Sequence, residues 1–353
     1  MTPTGRILQL DDSFLDQLAA FGPPIGKTLG MLIRPAFIAP KGKTLVWGDW
    51  SAIEARVLPW LAASPGAEKV LDIFRTNDAD PSLPDIYMIT AGELLGKPAE
   101  AVTKAERQSH GKVPVLSLGF GGALGALAKM ATNYGVFFDE EAGKALVGSW
   151  RGRNQWAPEF WGAFRTNEYG DVVKADGLWG AANMAIRNPG EGFTAGRVVY
   201  VFDPAYLDGT LFCLLPDGRP LVYPSCRYRT RTVKDQDTGE EKEVHALWFR
   251  KGYGWSALWY GKLAENITQA VAGSILRETL VALDQAQGDW MPIVGHTHDE
   301  IVTEVEDEPE TVANAKAYLK AFMLDAPAWR ATLPLAVAIT ENWYYTKDPT
   351  IEE

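Results

Sequence analysis

The sequence predicts an α+β fold in which a helix-rich block is inserted into a sheet domain. Three observations carry this. Asp49 closes the apolar run Leu45-Val46-Trp47-Gly48, and His298-Asp299-Glu300 stands between two further apolar runs, so both acidic clusters fall on strand-like segments. From about residue 70 to 207 the apolar residues recur mainly at helical spacing. After about residue 208 they alternate, as half-buried strands do.

In chain order, residues 44–49 make the first strand. A helix over 51–63 follows, with Ile53, Val57, Trp60 and Leu61 on one face, Ser51 as its cap and Ser64-Pro65-Gly66 as its stop. A second helix, over 83–95, opens at Pro84 and breaks at Gly96-Lys97-Pro98. Residues 103–130 are mostly helical, interrupted at Pro114 and at Gly119, Gly121 and Gly122; 140–150 and 157–169 are helical as well. Strands are expected over 211–215, 221–223, 228–233 and 244–249, the last two joined through the turn Asp237-Thr238-Gly239. A long amphipathic helix over 262–285 precedes a strand pair that turns around His298-Asp299-Glu300. A helix over 309–324 and a strand over 335–339 complete the pattern. The implied division is 1–69 for the first part of the sheet domain, 70–207 for the helical block and 208–353 for the second part.

Composition bounds the function. With 46% hydrophobic and 22% charged residues, the 353-residue chain is ordinary for a soluble globular protein. Its two cysteines, Cys213 and Cys226, make neither a metal-ligand spacing nor a disulfide framework, which suits a reducing cytoplasm. No apolar run approaches the roughly 20 residues that span a bilayer, and the N-terminus lacks the apolar stretch of a signal peptide, so no membrane role is expected. The net charge of −11 argues against a chain built wholly around nucleic acid. Basic residues nevertheless gather at Lys104/Arg107/Lys112, Arg151/Arg153 and Arg227/Arg229/Arg231, which leaves room for a local basic track.

Asp49 and Asp299 are hard to explain by packing, because an ionised carboxylate on an otherwise apolar strand needs a partner. Taken alone, Asp49 also suits a helix cap and His298-Asp299-Glu300 a surface turn. Taken together, they suggest a paired-metal site, and phosphoryl transfer is the chemistry that most often uses one.

Several motifs then occur in a telling order. Arg34-Pro-Ala-Phe-Ile-Ala-Pro40 followed by Asp49-Trp-Ser-Ala-Ile-Glu-Ala-Arg56 resembles the motif A region of family A DNA polymerases, the DNA polymerase I type. His298-Asp299-Glu300-Ile-Val resembles their motif C, and Gly111-Lys112 through Phe120-Gly121-Gly122 resembles motif B of phage-like members. Asp85-Ile86-Tyr87, Leu215-Pro216-Asp217-Gly218-Arg219, Tyr260-Gly261-Lys262-Leu263, Gln269-Ala270 and Leu333-Pro334-Leu335 agree in order, so the resemblance runs from about Arg34 to Lys347.

The resemblance implies a right-hand polymerase palm, an antiparallel sheet with flanking helices, carrying an inserted helical fingers subdomain. It implies template-directed addition of dNTPs to the 3′-OH of primer-template DNA, with two Mg²⁺ ions that Mn²⁺ could replace. Asp49 and Asp299 become the metal-binding pair, with Glu300 as a third candidate. Glu54 becomes the gate that excludes the ribose 2′-OH, while Lys112, Leu116, Phe120 and Tyr87 line the nucleotide site and Arg107 is a further phosphate candidate. Gln269, His298 and Arg6 are the candidate DNA contacts, and Arg56 anchors the motif A helix by a charge pair. Lys112, Leu116 and Phe120, at i, i+4 and i+8, are expected on one helical face.

The chain also departs from the pattern. Gln108 stands where an arginine is usual, four residues before Lys112, and Pro114 would disrupt a helix interior or else mark its first turn. Only about 48 residues precede Asp49, so neither thumb nor 3′–5′ exonuclease is expected, and a separate chain could supply them. Localisation would be the cytoplasm, that of the host if the chain is phage-encoded. An RNA-synthesising relative is disfavoured by Glu54. A partner-dependent or accessory DNA-binding fragment stays the alternative from another class.

Overall fold

Along Lys43–Trp50 every second residue turns to the same side, and this strand, β1, is the axis of the first of two compact units. The computed structural model describes residues 33–163, 165–166, 172–173, 176–234 and 241–346, with the single positions 20 and 30. The first unit takes its described residues from the chain up to Asp49, from Glu278–Leu324 and from Val337 onward. The second comprises Trp50–Arg277 and Asp325–Ala336.

Other strands in the second unit are β2 (Arg165–Thr166), β3 (Val172–Val173), β4 (Gly192–Ala195), β5 (Val198–Asp203), β6 (Thr210–Leu214), β7 (Pro220–Tyr223), β8 (Arg227–Lys234), β9 (Glu241–Lys251) and β10 (Gly254–Leu258). In the first unit β11 (Ile293–Thr297), β12 (Glu300–Glu306) and β13 (Val337–Asn342) join β1 in a sheet of order β11-β12-β1-β13. The register pairs Asp49 with Glu300, Trp47 with Val302 and Leu45 with Glu304. Residues opposite one another share a face, so Leu45, Trp47, Val302 and Tyr345 form an apolar cluster beside the acidic pair. The other face carries Gly48, where an added Cβ would overlap Met323 of the helix Pro309–Leu324 and touch Ile339 of β13. Glycine at that position therefore sets how closely this helix packs under the sheet.

The second unit opens with helices α1 (Ile53–Ala62), α2 (Pro65–Ala79) and α3 (Ile86–Leu95). Ser51 is not the cap of α1. The helix starts one residue later than that reading requires, behind Ala52 in the left-handed region at φ 52°. Ser64-Pro65-Gly66 does end α1, but it also begins α2. Ser64 caps it by accepting from the Ala67 amide, and Pro65 takes the first helical position, where its missing N–H costs nothing.

The motif B segment runs through a helical turn at Lys104–Glu106, a π-helical stretch Arg107–Lys112 and α4 (Val113–Leu118). Pro114 therefore marks the first turn of α4, as the alternative reading had it. It cannot donate to an i−4 carbonyl, and the widened π turn before it absorbs the mismatch, with the Val113 amide reaching Gln108 O. Helices α5 (Leu124–Asn133), α6 (Glu140–Arg153), α7 (Trp156–Trp161) and α8 (Gly177–Arg187) follow. The helix expected over 157–169 stops at Trp161, because Gly162 turns left-handed at φ +81° against the Asp176 and Trp179 backbone.

Strands β4 to β7 form one antiparallel sheet in sequence order and β8 to β10 another. The turn expected at Asp237-Thr238-Gly239 lies outside the described residues. The long helix α9 (Tyr260–Gln287) and α10 (Pro309–Leu324) match the helices expected there. Cys213 and Cys226 are buried and free, and burial pushes both thiols up to about 12. Among the described residues no helix is long and apolar enough to cross a membrane.

Candidate active site

The acidic site is built by the pairing of β1 with the β11–β12 hairpin. Thr297 pairs with Glu300, leaving His298 and Asp299 as the two turn residues at the hairpin tip. Because Asp49 lies opposite Glu300, the tip brings Asp299 beside both. Each of the three carboxylates offers one oxygen within 4.8 Å of the others. Oxygen donors alone suit a hard divalent cation such as Mg²⁺.

The three carboxylates are not equivalent. Asp49 and Asp299 are half-buried, whereas Glu300 is 1% exposed. Arg34 Nη1 lies 3.0 and 3.3 Å from the two Glu300 oxygens, and Thr297 Oγ1 donates to Glu300 at 3.1 Å. Arg34 also donates to the Tyr345 hydroxyl at 3.0 Å, with its guanidinium 4.8 Å from the centre of that ring. Tyr345 in turn meets Trp47 edge-on at 5.5 Å. Arg34 balances the charge of this buried carboxylate, whereas Asp49 and Asp299 are the more accessible oxygen donors of the three. Sequence reasoning gave Arg34 and Tyr345 no role, although Arg34 opens the Arg34–Pro40 segment that supported the resemblance. His298 is exposed at the tip.

In the second unit the structure joins other expected site residues in pairs. Gln269 of α9 donates to the Glu54 carboxylate of α1. Arg56 makes a two-pronged ion pair with Asp78, at 2.5 and 2.7 Å, over the Phe74 ring, and Arg56 Nε donates to Ser51 O at 2.8 Å. It anchors the start of α1, as expected.

Arg107 pairs with Asp85 and lies 5.0 Å over the Tyr87 ring. Asp85 also caps α3 by accepting from the Met88 amide at 2.8 Å. Tyr87, expected to line a pocket, is instead buried among Phe74 and Ile86, and burial pushes its hydroxyl up to about 12. His110 meets Phe138 edge-on, and burial lowers its pKa, which disfavours a cationic role. Lys112, half-buried 5.4 Å from the Tyr134 ring, has no carboxylate within ion-pair distance among the described residues. It is the cation of this run best placed to meet an incoming anion.

Leu116 is half-buried on α4, but Phe120 is not on the same helix face. The helix ends at Leu118, and Phe120 sits in the turn beyond it. Gly121 at φ +73° abuts the Tyr260 ring, and a Cβ on Gly261 would overlap the Phe120 carbonyl. Trp161 Nε1 donates to Gly119 O at 2.9 Å, and Arg151 to Gly122 O at 2.9 Å. This turn is therefore pinned by three elements and by the Trp150–Trp161–Tyr260 stack. Arg6 lies outside the described residues.

The mixed helical and antiparallel-sheet fold fits a palm-and-fingers architecture. The chain is 34% identical over 325 residues to a DNA polymerase of Bacillus phage SP02, an alignment covering 91% of this chain and 44% of that protein. It is 26% identical over 330 residues to DNA polymerase I of Rhizobium leguminosarum, covering 91% of this chain and 25% of that one. In three dimensions it resembles the polymerase domain of Pol1 from M. smegmatis, solved in complex with DNA primer-template and dNTP. The TM-score there is 0.53 at 16% identity, over 92% of this chain and 43% of that one. No family model matches the chain. The chain is thus similar to DNA polymerases of the DNA polymerase I type and spans less than half the length of these relatives.

Proposed function

We propose that this chain is a template-directed DNA polymerase that adds dNTPs to a primer 3′-OH by two-metal-ion phosphoryl transfer. The observation that carries the proposal is the convergence of Asp49, Asp299 and Glu300, with oxygens within 4.8 Å of one another. Bound there, divalent cations, Mg²⁺ in the first instance, would lower the pKa of the attacking hydroxyl and neutralise charge on the leaving pyrophosphate. The protein's own share is positional. Asp49 and Asp299 hold the cations, Arg34 and Thr297 fix Glu300 beside them, and Lys112 meets the triphosphate as a point charge. Glu54 crowds the sugar 2′ position, five residues beyond Asp49 in the sequence.

The relatives' names and the primer-template and dNTP in the M. smegmatis complex support this choice of substrates. The test is primer extension with purified chain, Mg²⁺ and dNTPs on a primed template. The wild-type chain should extend the primer, and Asp299→Ala should lower the rate at least a thousandfold, about 4 kcal/mol of transition-state stabilisation. Extension that persists in the variant would reject the site.

A further inference from the structure

The β8–β9–β10 sheet carries a basic and aromatic face with no part in the acidic centre. We propose that this face, built on Arg227, Arg229, Arg250, Trp248 and Trp255, binds single-stranded nucleic acid. The register pairs Arg227 with Trp248 and Arg250 with Trp255, so strand alternation puts these five side chains on one side. Leu247 and Leu258, both essentially inaccessible, lie on the other side, as do Glu241 and Glu243 by the same alternation. The three arginines thus gather on one face, away from Glu241 and Glu243, in a chain whose net charge is −11.

The arginines are arranged around one ring. The Arg227 and Arg229 guanidinium carbons each lie 4.6 Å from the Trp255 ring centre, that of Arg250 lies 5.9 Å away, and Arg229 is 5.8 Å from Trp248. Arg227 pairs with Asp208 at 3.2 Å, while among the described residues Arg229 and Arg250 have no carboxylate within ion-pair distance. All three arginines are exposed and both tryptophans half-exposed.

Stacking on an indole fixes a guanidinium without consuming its N–H edge, which stays available for two-pronged contact with a phosphate. Its outer plane can receive a base, but only one not already stacked in a duplex. Arginines at alternate strand positions stand roughly 7 Å apart, a spacing suited to successive phosphates of an extended strand. A solvated face without a ligand would not need its arginines gathered on one indole. Single-stranded nucleic acid satisfies both the cationic edges and the planes.

The test needs neither metal nor dNTP, so it stands or falls apart from the catalytic reading. Fluorescence anisotropy in EDTA would follow labelled oligo(dT) of about 20 nucleotides, beside a blunt duplex of equal length. Arg229→Ala/Arg250→Ala should weaken oligo(dT) binding about tenfold and reduce the slope of log affinity against log salt by about 1.4, some 0.7 for each phosphate no longer neutralised. Arg229→Lys/Arg250→Lys should keep the slope and lose affinity only a few-fold, because charge survives and the planar stack does not. The duplex should lose less than half as much, on a logarithmic scale. Unchanged oligo(dT) affinity and slope in the double alanine variant would overturn the proposal, and so would an equal loss for the duplex. Far-ultraviolet circular dichroism and the melting midpoint, matched to wild type, exclude misfolding as the cause.

Discussion

At the scale of single residues, two carboxylates of this chain each meet a partner from far along the sequence. Glu300 is a strand residue that would be untenable in the interior without Arg34, and Arg34 is itself steadied by Tyr345. Glu54 is met by Gln269, 215 positions away. If Glu54 excludes ribonucleotides by filling space, its position matters as much as its presence, and Gln269 fixes that position. Glu54→Ala should therefore lower the ratio of kcat/KM for dNTP over rNTP by about a hundredfold, and Gln269→Ala by several-fold. The double variant should be no worse than Glu54→Ala alone, since both changes act through one carboxylate. Additive losses would show that Gln269 acts elsewhere, and an unchanged ratio in Glu54→Ala would remove the gate assignment. Asp49, Glu54 and Asp299 were legible in the sequence because their neighbours are apolar or their motif is distinctive. Arg34 and Gln269 stood out as motif residues, but their pairing with Glu300 and Glu54 did not, because a partner is defined by tertiary approach.

At the scale of elements, Leu215-Pro216-Asp217-Gly218-Arg219 ties a turn to a helix. Asp217 is almost wholly buried; Arg219 donates to it at 2.7 Å, and Arg277 of α9 lies 3.7 Å away. Arg219 also donates to Ala270 O at 3.1 Å and to Ser274, which ties the β6–β7 turn to α9. Burial alone would raise the Asp217 pKa, but hydrogen bonds from Ser274 and Arg219 and the Arg219 charge outweigh it and hold the carboxyl below its usual value. A carboxyl with a lowered folded-state pKa contributes stability that is full above its unfolded value and is lost as pH falls through the folded one. Asp217→Asn should thus destabilise by about 1–3 kcal/mol at neutral pH, and the gap to wild type should narrow below about pH 4. Urea melts at both pH values measure it; a gap that widens in acid would contradict the sign. Elements with long periodic patterns, such as α9, α10 and β8, were legible. The start of α2 was not, because Pro65 reads equally as a stop and a first turn. The end of α7 was not, because only the tight packing around Gly162 and Gly177 forces it.

At the scale of the whole molecule, the proposed cation site gathers like charges, and that has a cost in stability. Glu300 is paired with Arg34, and Asp49 and Asp299 bring two more carboxylates close together, both half-buried. Two unit charges at about 4 Å cost about 1 kcal/mol in a water-like surrounding, and their partial exposure favours that lower end. In EDTA, Asp299→Asn should therefore raise the melting midpoint by about 1–2 °C while abolishing primer extension, a stability gain at the expense of function. Mg²⁺ should reverse the order. Saturating a site present only in the folded state adds about 2.7 kcal/mol at a hundredfold excess over Kd, so wild type should gain several degrees and the variant almost none. Scanning calorimetry of both proteins with and without Mg²⁺ reads all four midpoints. A variant that melts below wild type in EDTA would mean that Asp299 is held by attractive contacts and not kept under repulsion. An equal Mg²⁺ shift in both would place the cation away from Asp49 and Asp299, and the polymerase chemistry with it.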